Sequence, residues 1–278
     1  MSRSQRPAQF VAHAMLVATA VFVLFPYAWM VVTSIKTIDD VIAWPIRWIP
    51  RQVTFEHYAA ILSDPRFMRS LFNSAVVSVV VTGISLILSV PAAYGLTRLV
   101  RGGAGRPMLI GILAAQFFPP MVFFVPFYII LQWLGLLNTI PGLVFAYLSV
   151  TLPICTWMVA TSLRDIPVEI EEAARIDGCS DLGIIWRIIL PIAAPGIVTA
   201  GIFAFVLSWQ EYIFALLYTT SERAQTAPVL VFYLLGQHQI DYARLMSAAV
   251  LLSIPIAVPF AIIQRFYRSG LTEGGIKG

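Results

Sequence analysis

The sequence predicts an all-α, polytopic helical membrane protein with six transmembrane helices and with its N- and C-termini in the cytoplasm. Of its 278 residues, 59% are hydrophobic and 12% are charged, whereas charged residues make up about a quarter of an ordinary soluble domain. Six apolar stretches reach the length of about 20 residues that a helix needs to cross a bilayer. They fill most of the chain, so residues 1–278 are predicted to form a single transmembrane domain. The predicted spans are 10–33, 72–97, 108–132, 139–162, 192–218 and 245–266.

The distribution of basic residues sets the predicted orientation. With the N-terminus inside, most Lys and Arg residues lie in cytoplasmic segments, and those outside fall mainly in the long loop 35–71. Long loops cross the membrane with little regard to charge, so they do not oppose this orientation. The first span follows two arginines without a small-residue cleavage pattern, and we expect it to be a retained anchor. Aromatic residues of the outer loop are expected to lie at the membrane surface; they are Trp44, Trp48, Phe55 and Tyr58.

Several classes of site are not expected. The net charge of +4 suits arginines that face anionic membrane lipid, and no basic, aromatic-interleaved patch suggests a nucleic acid. Cys155 lies in the fourth predicted span and Cys179 in a cytoplasmic loop, so no disulfide is expected. The three histidines lack the paired spacing of a metal site. No phosphate-binding P-loop sequence is present, so we expect this chain to bind no nucleotide cofactor.

A polar segment between the fourth and fifth spans, the coupling loop 164–191, is the most informative part of the sequence. Pro167 suits the first turn of a short polar helix, and Glu171 and Arg175 are spaced to pair at i and i+4. Gly178 is suited to end that helix in a left-handed conformation. Loops between spans are also polar in general, so an ordinary solvated loop is the alternative interpretation.

A second short helix is predicted after the turn. Ser180 or Asp181 can cap its N-terminus. We expect it to run through Arg187, before Pro191 opens the next apolar segment.

The spacing in this loop resembles the EAA motif of ABC importer permeases: Glu-Ala-Ala, three residues, Gly, nine residues, then Ile, any residue and Leu-Pro. The fixed positions are filled by Glu172, Ala173, Ala174, Gly178, Ile188, Leu190 and Pro191. In that family the short helix is the coupling helix, which docks on a cytoplasmic ATPase. The resemblance therefore implies an ATPase-coupling role for Glu172, Ala173, Ala174, Asp177, Gly178, Leu190 and Pro191.

Other segments resemble the carbohydrate-importing branch of these permeases, notably 203–216 and the C-terminal tail 267–278. The sequence from Gly270 to the C-terminus is similar to the ending of MalG-like permease subunits, with departures at Gly275 and Ile276. The resemblance implies that an extended tail reaches the ATPase, with a disordered terminal segment as the alternative. The tail residues concerned are Gly270, Leu271, Thr272, Gly274, Lys277 and Gly278.

What the resemblance implies for function is a non-enzymatic permease subunit of an ATP-driven, binding-protein-dependent sugar importer in the bacterial inner membrane. Its implied partners are a second permease subunit in a heterodimer, an ATPase homodimer that holds ATP and Mg, and an extracytoplasmic solute-binding protein. A secondary transporter or channel without an ATPase is the alternative. It would need buried titratable residues in several spans.

Glu211 is the outstanding polar residue of the predicted fifth span. Together with the amide of Gln210 and the rings of Trp209 and Tyr212, its carboxylate suits the hydroxyls and ring faces of a sugar. Neighbouring residues, however, do not share one face of a helix. A structural hydrogen bond or ion pair is the alternative, and Gln116 in the third span has the same two interpretations. The candidate solute-pathway residues are Glu211, Gln210, Trp209, Tyr212 and Gln116.

Overall fold

The computed structural model describes residues 5–100, 103–119, 121–235 and 241–274, and these ranges are helical apart from loops and one isolated bridge between Lys36 and Val53. A π-helical turn, Gly95–Leu99, follows the fourth helix, and a second, Ile185–Ile189, precedes the tenth. The α-helices are α1 Gln5–Ser34, α2 Ile38–Val41, α3 Glu56–Leu62, α4 Pro65–Tyr94, α5 Gly105–Ala114, α6 Met121–Trp133, α7 Ile140–Arg164, α8 Val168–Ile176, α9 Asp181–Ile184, α10 Leu190–Gln210, α11 Ile213–Tyr218, α12 Ala227–Leu235 and α13 Tyr242–Gly274.

The all-α class predicted from the sequence is confirmed over the described residues. Five of their helical segments are long and apolar enough to cross a membrane. A bent pair, Gly105–Phe117 with Met121–Trp133, gives a sixth crossing if it counts as one span.

Two predicted spans are not continuous helices. The stretch predicted as span 108–132 bends by 94° between its two halves, where Pro119 and Pro120 stand in the sequence and proline removes a backbone donor from a helix. The stretch predicted as span 192–218 breaks after Gln210, because Glu211 adopts an extended conformation with ψ of 127°. A new short helix, α11, follows this break.

The last helix also differs from the prediction. We expected the sixth span to end at 266 and the tail to be extended, but α13 continues to Gly274. No proline follows Pro259 to interrupt it. Of the predicted tail residues, Gly270, Leu271, Thr272 and Gly274 lie in this helix, and Lys277 and Gly278 lie outside the described residues.

The chain divides into two compact units. The first comprises the described parts of Met1–Met68 and Val231–Ala257. Its segment after α1 is tied together by polar contacts: Asp40 pairs with Arg47 and accepts a bond of 2.7 Å from the Arg51 amide. Lys36 donates to the Arg47 carbonyl at 2.6 Å and lies 4.0 Å above the ring of Trp29. Polar bonds therefore order this loop beside the end of α1.

The second unit comprises the described parts of Arg69–Leu230 and Val258–Gly278. Its core is built on α7 and α10, which pack closely because small residues face each other. At Gly196 a Cβ atom would lie only 1.7 Å from Ser162 Oγ, so glycine is what allows this approach. Ser85 and Thr151 add a buried hydroxyl bond of 2.8 Å between α4 and α7. This unit carries both groups of candidate residues from the central part of the sequence.

Candidate functional site

The polar segment between α7 and α10 contains the short helix that its sequence predicts. Helix α8 exposes Glu172 and Ala173 and buries Glu171 and Ala174, which are 1% and 5% exposed. Buried positions three apart lie on one face of a helix. Helix α8 therefore has one face directed into the second unit and an opposite face available to a partner.

Gly178 ends this helix as the sequence predicts. Its φ is +83°, in the left-handed region that favours glycine. The amide of Gly178 donates to the Arg175 carbonyl at 3.1 Å, and the amide of Cys179 donates to the Ala174 carbonyl at 3.0 Å. These bonds satisfy the carbonyl groups at the end of α8 in the manner of a Schellman turn.

The second predicted helix forms but does not stop where expected. Ser180 caps α9, its hydroxyl oxygen accepting a bond of 3.2 Å from the Gly183 amide. The chain then continues through the π turn Ile185–Ile189 into α10. The predicted end at Arg187 is therefore wrong, and Pro191 follows directly after the π turn inside this continuous helical run. Leu190 and Pro191 are thus part of α10 itself.

The predicted pairing of Glu171 with Arg175 is also wrong. Arg175 instead contacts Asp181, with its Nε 3.2 Å from Oδ1. The hydrogen bond that Arg175 donates to this carboxylate raises the pKa of the Arg175 side chain. Both groups of this pair are substantially exposed, at 45% and 78%. Such pairs contribute little to stability.

Glu171 faces inward and pairs with a residue far away in the sequence. Arg98 Nε donates to Glu171 Oε1 at 2.6 Å, and the Tyr94 hydroxyl donates to Oε2 at 3.0 Å. Arg98 Nη2 also donates to the carbonyls of Leu163 at 2.9 Å and Ile166 at 2.7 Å. Sequence reasoning missed this contact. The available signal was a carboxylate three residues before Ala174, on the side of α8 that carries the small buried residue.

The candidate solute residue Glu211 lies at the break after α10 rather than inside a span. Its Oε1 accepts a bond of 2.8 Å from the Phe214 amide, and its Oε2 accepts one of 3.2 Å from the Ala215 amide. The carboxylate thus satisfies two of the four free amides at the start of α11. This observation favours the structural alternative for Glu211.

The other candidate solute residues do not converge on Glu211. Trp209 is 3% exposed and stacks on Phe205 with ring centroids 5.7 Å apart. Gln210 is exposed, and Gln116 donates to the carbonyls of Ser149 and Val150 at 3.3 and 3.4 Å. Gln116 therefore links helices, as its structural alternative predicts. Tyr212 lies in the break beside Glu211.

A cavity of about 220 Å³ lies next to this break. It is lined mainly by apolar atoms of Phe124, Leu207 and Phe214, with Tyr147 and Glu211 as polar neighbours. The Tyr147 hydroxyl is buried and lines the same cavity as Glu211.

Comparison with known proteins identifies the family. The family described as binding-protein-dependent transport system inner membrane component matches residues 85–272. The sulfoquinovosyl glycerol transport system permease protein of Agrobacterium fabrum is 35% identical over 99% of this chain and 95% of that protein. The trehalose/maltose transport system permease protein of Thermococcus litoralis is 33% identical over 93% of each chain.

Solved structures agree with this fold. A chain of a bacterial ABC transporter involved in the import of the polysaccharide alginate matches with a TM-score of 0.76 over 96% of this chain and 99% of that chain, at 24% identity. A chain of the MetNI methionine ABC transporter matches with a TM-score of 0.60 over 74% of this chain and 98% of that chain, at 16% identity. The chain is a multi-pass membrane protein and a non-enzymatic transport component. It belongs to the family of binding-protein-dependent transport system inner membrane components.

Proposed function

We propose that this chain is the MalG-like permease subunit of an ATP-driven, binding-protein-dependent importer of a sugar, oligosaccharide or glycoside. The observation that carries the proposal is the short helix α8, which is closed by Gly178 and exposes Glu172 between the spans α7 and α10. A helix held in this way offers a rigid docking face on one side of a membrane domain. The names of the similar permeases, which transport sulfoquinovosyl glycerol or trehalose and maltose, support a carbohydrate solute.

The proposed assembly places the chain in the bacterial cytoplasmic membrane with both termini and α8 in the cytoplasm. A homologous second permease forms the other half of the pathway, and two ATPase subunits bind ATP and Mg beneath it. An extracytoplasmic protein delivers the solute. A solved alginate transporter in complex with its periplasmic protein has a chain of the same fold, which supports such an arrangement.

In the proposed cycle, closure of the ATPase dimer moves the docked α8, and the membrane helices respond by alternating access. Glu172 and Ala173 lie on the docking face. The turn at Gly178 fixes the direction in which the chain leaves α8. The last residues of the chain, including Lys277 and Gly278, are proposed to contact the ATPase as well. Glu211 serves the framework, since its oxygens accept bonds from the backbone of α11.

The test is uptake and ATP hydrolysis by the complete complex in proteoliposomes, with trehalose, maltose and sulfoquinovosyl glycerol as solutes. Glu172→Lys reverses a charge on the docking face, and unfavourable charge contacts at an interface cost several kcal/mol. We expect it to reduce solute-stimulated hydrolysis by at least about tenfold. Gly178→Leu is expected to act in the same direction, because leucine disfavours positive φ.

The matched control is Asp165→Lys, the same type of charge reversal at an exposed residue that caps α7. It is expected to leave stimulation near the wild-type level. Wild-type stimulation in both Glu172→Lys and Gly178→Leu would contradict the docking role of α8. Uptake that proceeds without any ATPase subunit would contradict the importer itself.

A further inference from the structure

The inward face of α8 carries a buried ion pair that the family motif does not include. Glu171 stands one residue before the motif's Glu172, and its side chain is 1% exposed. Its partner Arg98 is 10% exposed and lies in the π turn Gly95–Leu99 that continues α4. The two residues are separated by 73 positions in the sequence and by 2.6 Å between Nε and Oε1.

The hydrogen bonds of this pair connect three different parts of the second unit. Glu171 belongs to α8, and Arg98 and Tyr94 belong to the end of α4 and its π turn. Arg98 Nη2 reaches the carbonyl of Leu163 in the last turn of α7 and that of Ile166 just after this helix. One guanidinium group therefore joins α8 to two membrane helices. Its planar arrangement of donors fixes the direction of each bond, which a lysine could not do.

Such a pair is not needed to stabilise the fold. Removing two charges from water costs about as much as their attraction returns, and well-packed apolar residues at the same place are often equally stabilising. Apolar packing would, however, fix no bond direction between α8 and its neighbours, because the hydrophobic effect is non-directional. The π turn points to function as well, since such turns are frequent at functional sites.

We propose that Glu171 and Arg98 are positioning residues that transmit the movement of α8 to α4 and α7 during transport. This inference rests on the proposed function, in which an ATPase moves α8. The exposed face of the helix then receives the movement, and the buried pair prevents α8 from shifting relative to the ends of α4 and α7. Loss of the pair should uncouple hydrolysis from uptake in a complex that still assembles.

The first test is Glu171→Gln, which keeps the shape of the side chain and removes its charge. When the charge is removed, a hydrogen bond to a charged group loses free energy that corresponds to about tenfold or more in an equilibrium constant. We therefore expect the ratio of solute transported to ATP hydrolysed to fall about tenfold. Trehalose, maltose and sulfoquinovosyl glycerol are the solutes used. Asp165→Asn, which removes an exposed charge from the same loop, is the control and should keep the wild-type ratio.

The double variant Arg98→Met/Glu171→Leu separates coupling from stability, since it leaves no unpaired charge. We expect its complex to assemble with a melting temperature near that of the wild type while its transport ratio stays as low as that of Glu171→Gln. A wild-type ratio in the double variant would show that the pair is only structural. If the double variant does not assemble, a wild-type ratio in Glu171→Gln overturns the proposal by itself.

A distance measurement tests the anchor without any solute. Spin labels at Ile176→Cys in α8 and Leu99→Cys after α4, both exposed positions, are placed in a Cys179→Ser background, since Cys155 is buried. In the wild type, the distribution of distances between the two labels should stay narrow with and without nucleotide. In Glu171→Gln it should broaden. A narrow distribution in both proteins overturns the proposal. Absence of ATP-driven uptake by the wild-type complex would count against the proposed function alone.

Discussion

Two partly or fully buried carboxylates, one before α10 and one after it, show how differently the same group can be used. Glu171 takes its partners from residues 73 and 77 positions away, a guanidinium and a phenol. Glu211 takes its partners from backbone amides three and four positions ahead. The first carboxylate therefore joins separate elements of the second unit, and the second only fixes the start of the helix that follows it.

The two arrangements predict different consequences of substitution. A buried long-range ion pair couples movements of the helices that it joins, so removing one partner should lower stability, and removing one or both should reduce coupling. A local cap stabilises one turn of chain, so its loss should change stability and leave transport by the folded fraction intact. Four measurements test this contrast.

The largest effect is expected from Arg98→Leu. It leaves the Glu171 carboxylate buried without its cation, and breaking a buried pair from one side costs about 3–5 kcal/mol. Thermal unfolding of the detergent-solubilised complex measures this loss. Arg175→Leu is the matched control, because its pair with Asp181 is exposed and should contribute little to stability. Equal losses in the two variants would remove the distinction between the inward and outward faces of α8.

An intermediate effect is expected from Glu211→Gln. The amide keeps one acceptor for the α11 backbone but loses the charge and the second acceptor oxygen, and loss of a helix cap costs about 0.5–2 kcal/mol. The melting temperature of the complex should fall, and the fraction that remains folded should transport with unchanged apparent affinity for solute. A tenfold loss of affinity at normal stability would instead place this carboxylate in the solute pathway.

The contrast between the two carboxylates also shows what a sequence can predict. The turn at Gly178 and the cap of α9 depend on residues within a few positions of one another. The turn was predicted and the cap was narrowed to Ser180 or Asp181, because these signals are local. The break at Glu211 is local too. This break was missed because an apolar run with one carboxylate has the composition of a membrane span. In the structure, the Glu211 carboxylate instead binds the backbone amides of Phe214 and Ala215, and a new helix starts there.

The pair between Glu171 and Arg98 could not be predicted in the same way. Its two members are set by tertiary packing across α4, α7 and α8, and spacing along the chain carries no signal for that. Local reasoning instead paired Glu171 with Arg175, which is the nearest cation at helical spacing. Burial of Glu171 against the ends of α4 and α7 outweighs this weak surface interaction.

An effect of similar size is expected from Gly178→Ala. The space around a Cβ atom at this position is open within 4 Å, so the cost is that of an L residue at positive φ, about 1–2 kcal/mol. Gly83→Ala is the control, since Gly83 lies within α4 with equally open space, and alanine there should stabilise the helix by about 0.5–1 kcal/mol. Because the Gly178 turn orients α8, the transport ratio should fall in Gly178→Ala only.

The last measurement concerns the pH dependence of a third carboxylate, Asp40 in the first unit, which combines an ion pair with a backbone bond. The hydrogen bond from Arg47, with that from the Arg51 amide, lowers the pKa of Asp40 below its usual value of 3.8. A carboxyl group with a lowered folded-state pKa stabilises the protein above its unfolded-state pKa, and this contribution is lost as pH falls through the folded-state pKa. The stability difference between the wild type and Asp40→Asn should therefore be constant above about pH 5 and shrink below about pH 4. Melting temperatures of the solubilised complex, compared at these two ends of the pH range, measure this stability difference. Asp39→Asn is the control, because it removes an exposed charge from the same turn. A difference that persists unchanged at the acid end would show that Asp40 acts through its shape, and that its two bonds do not depend on its charge.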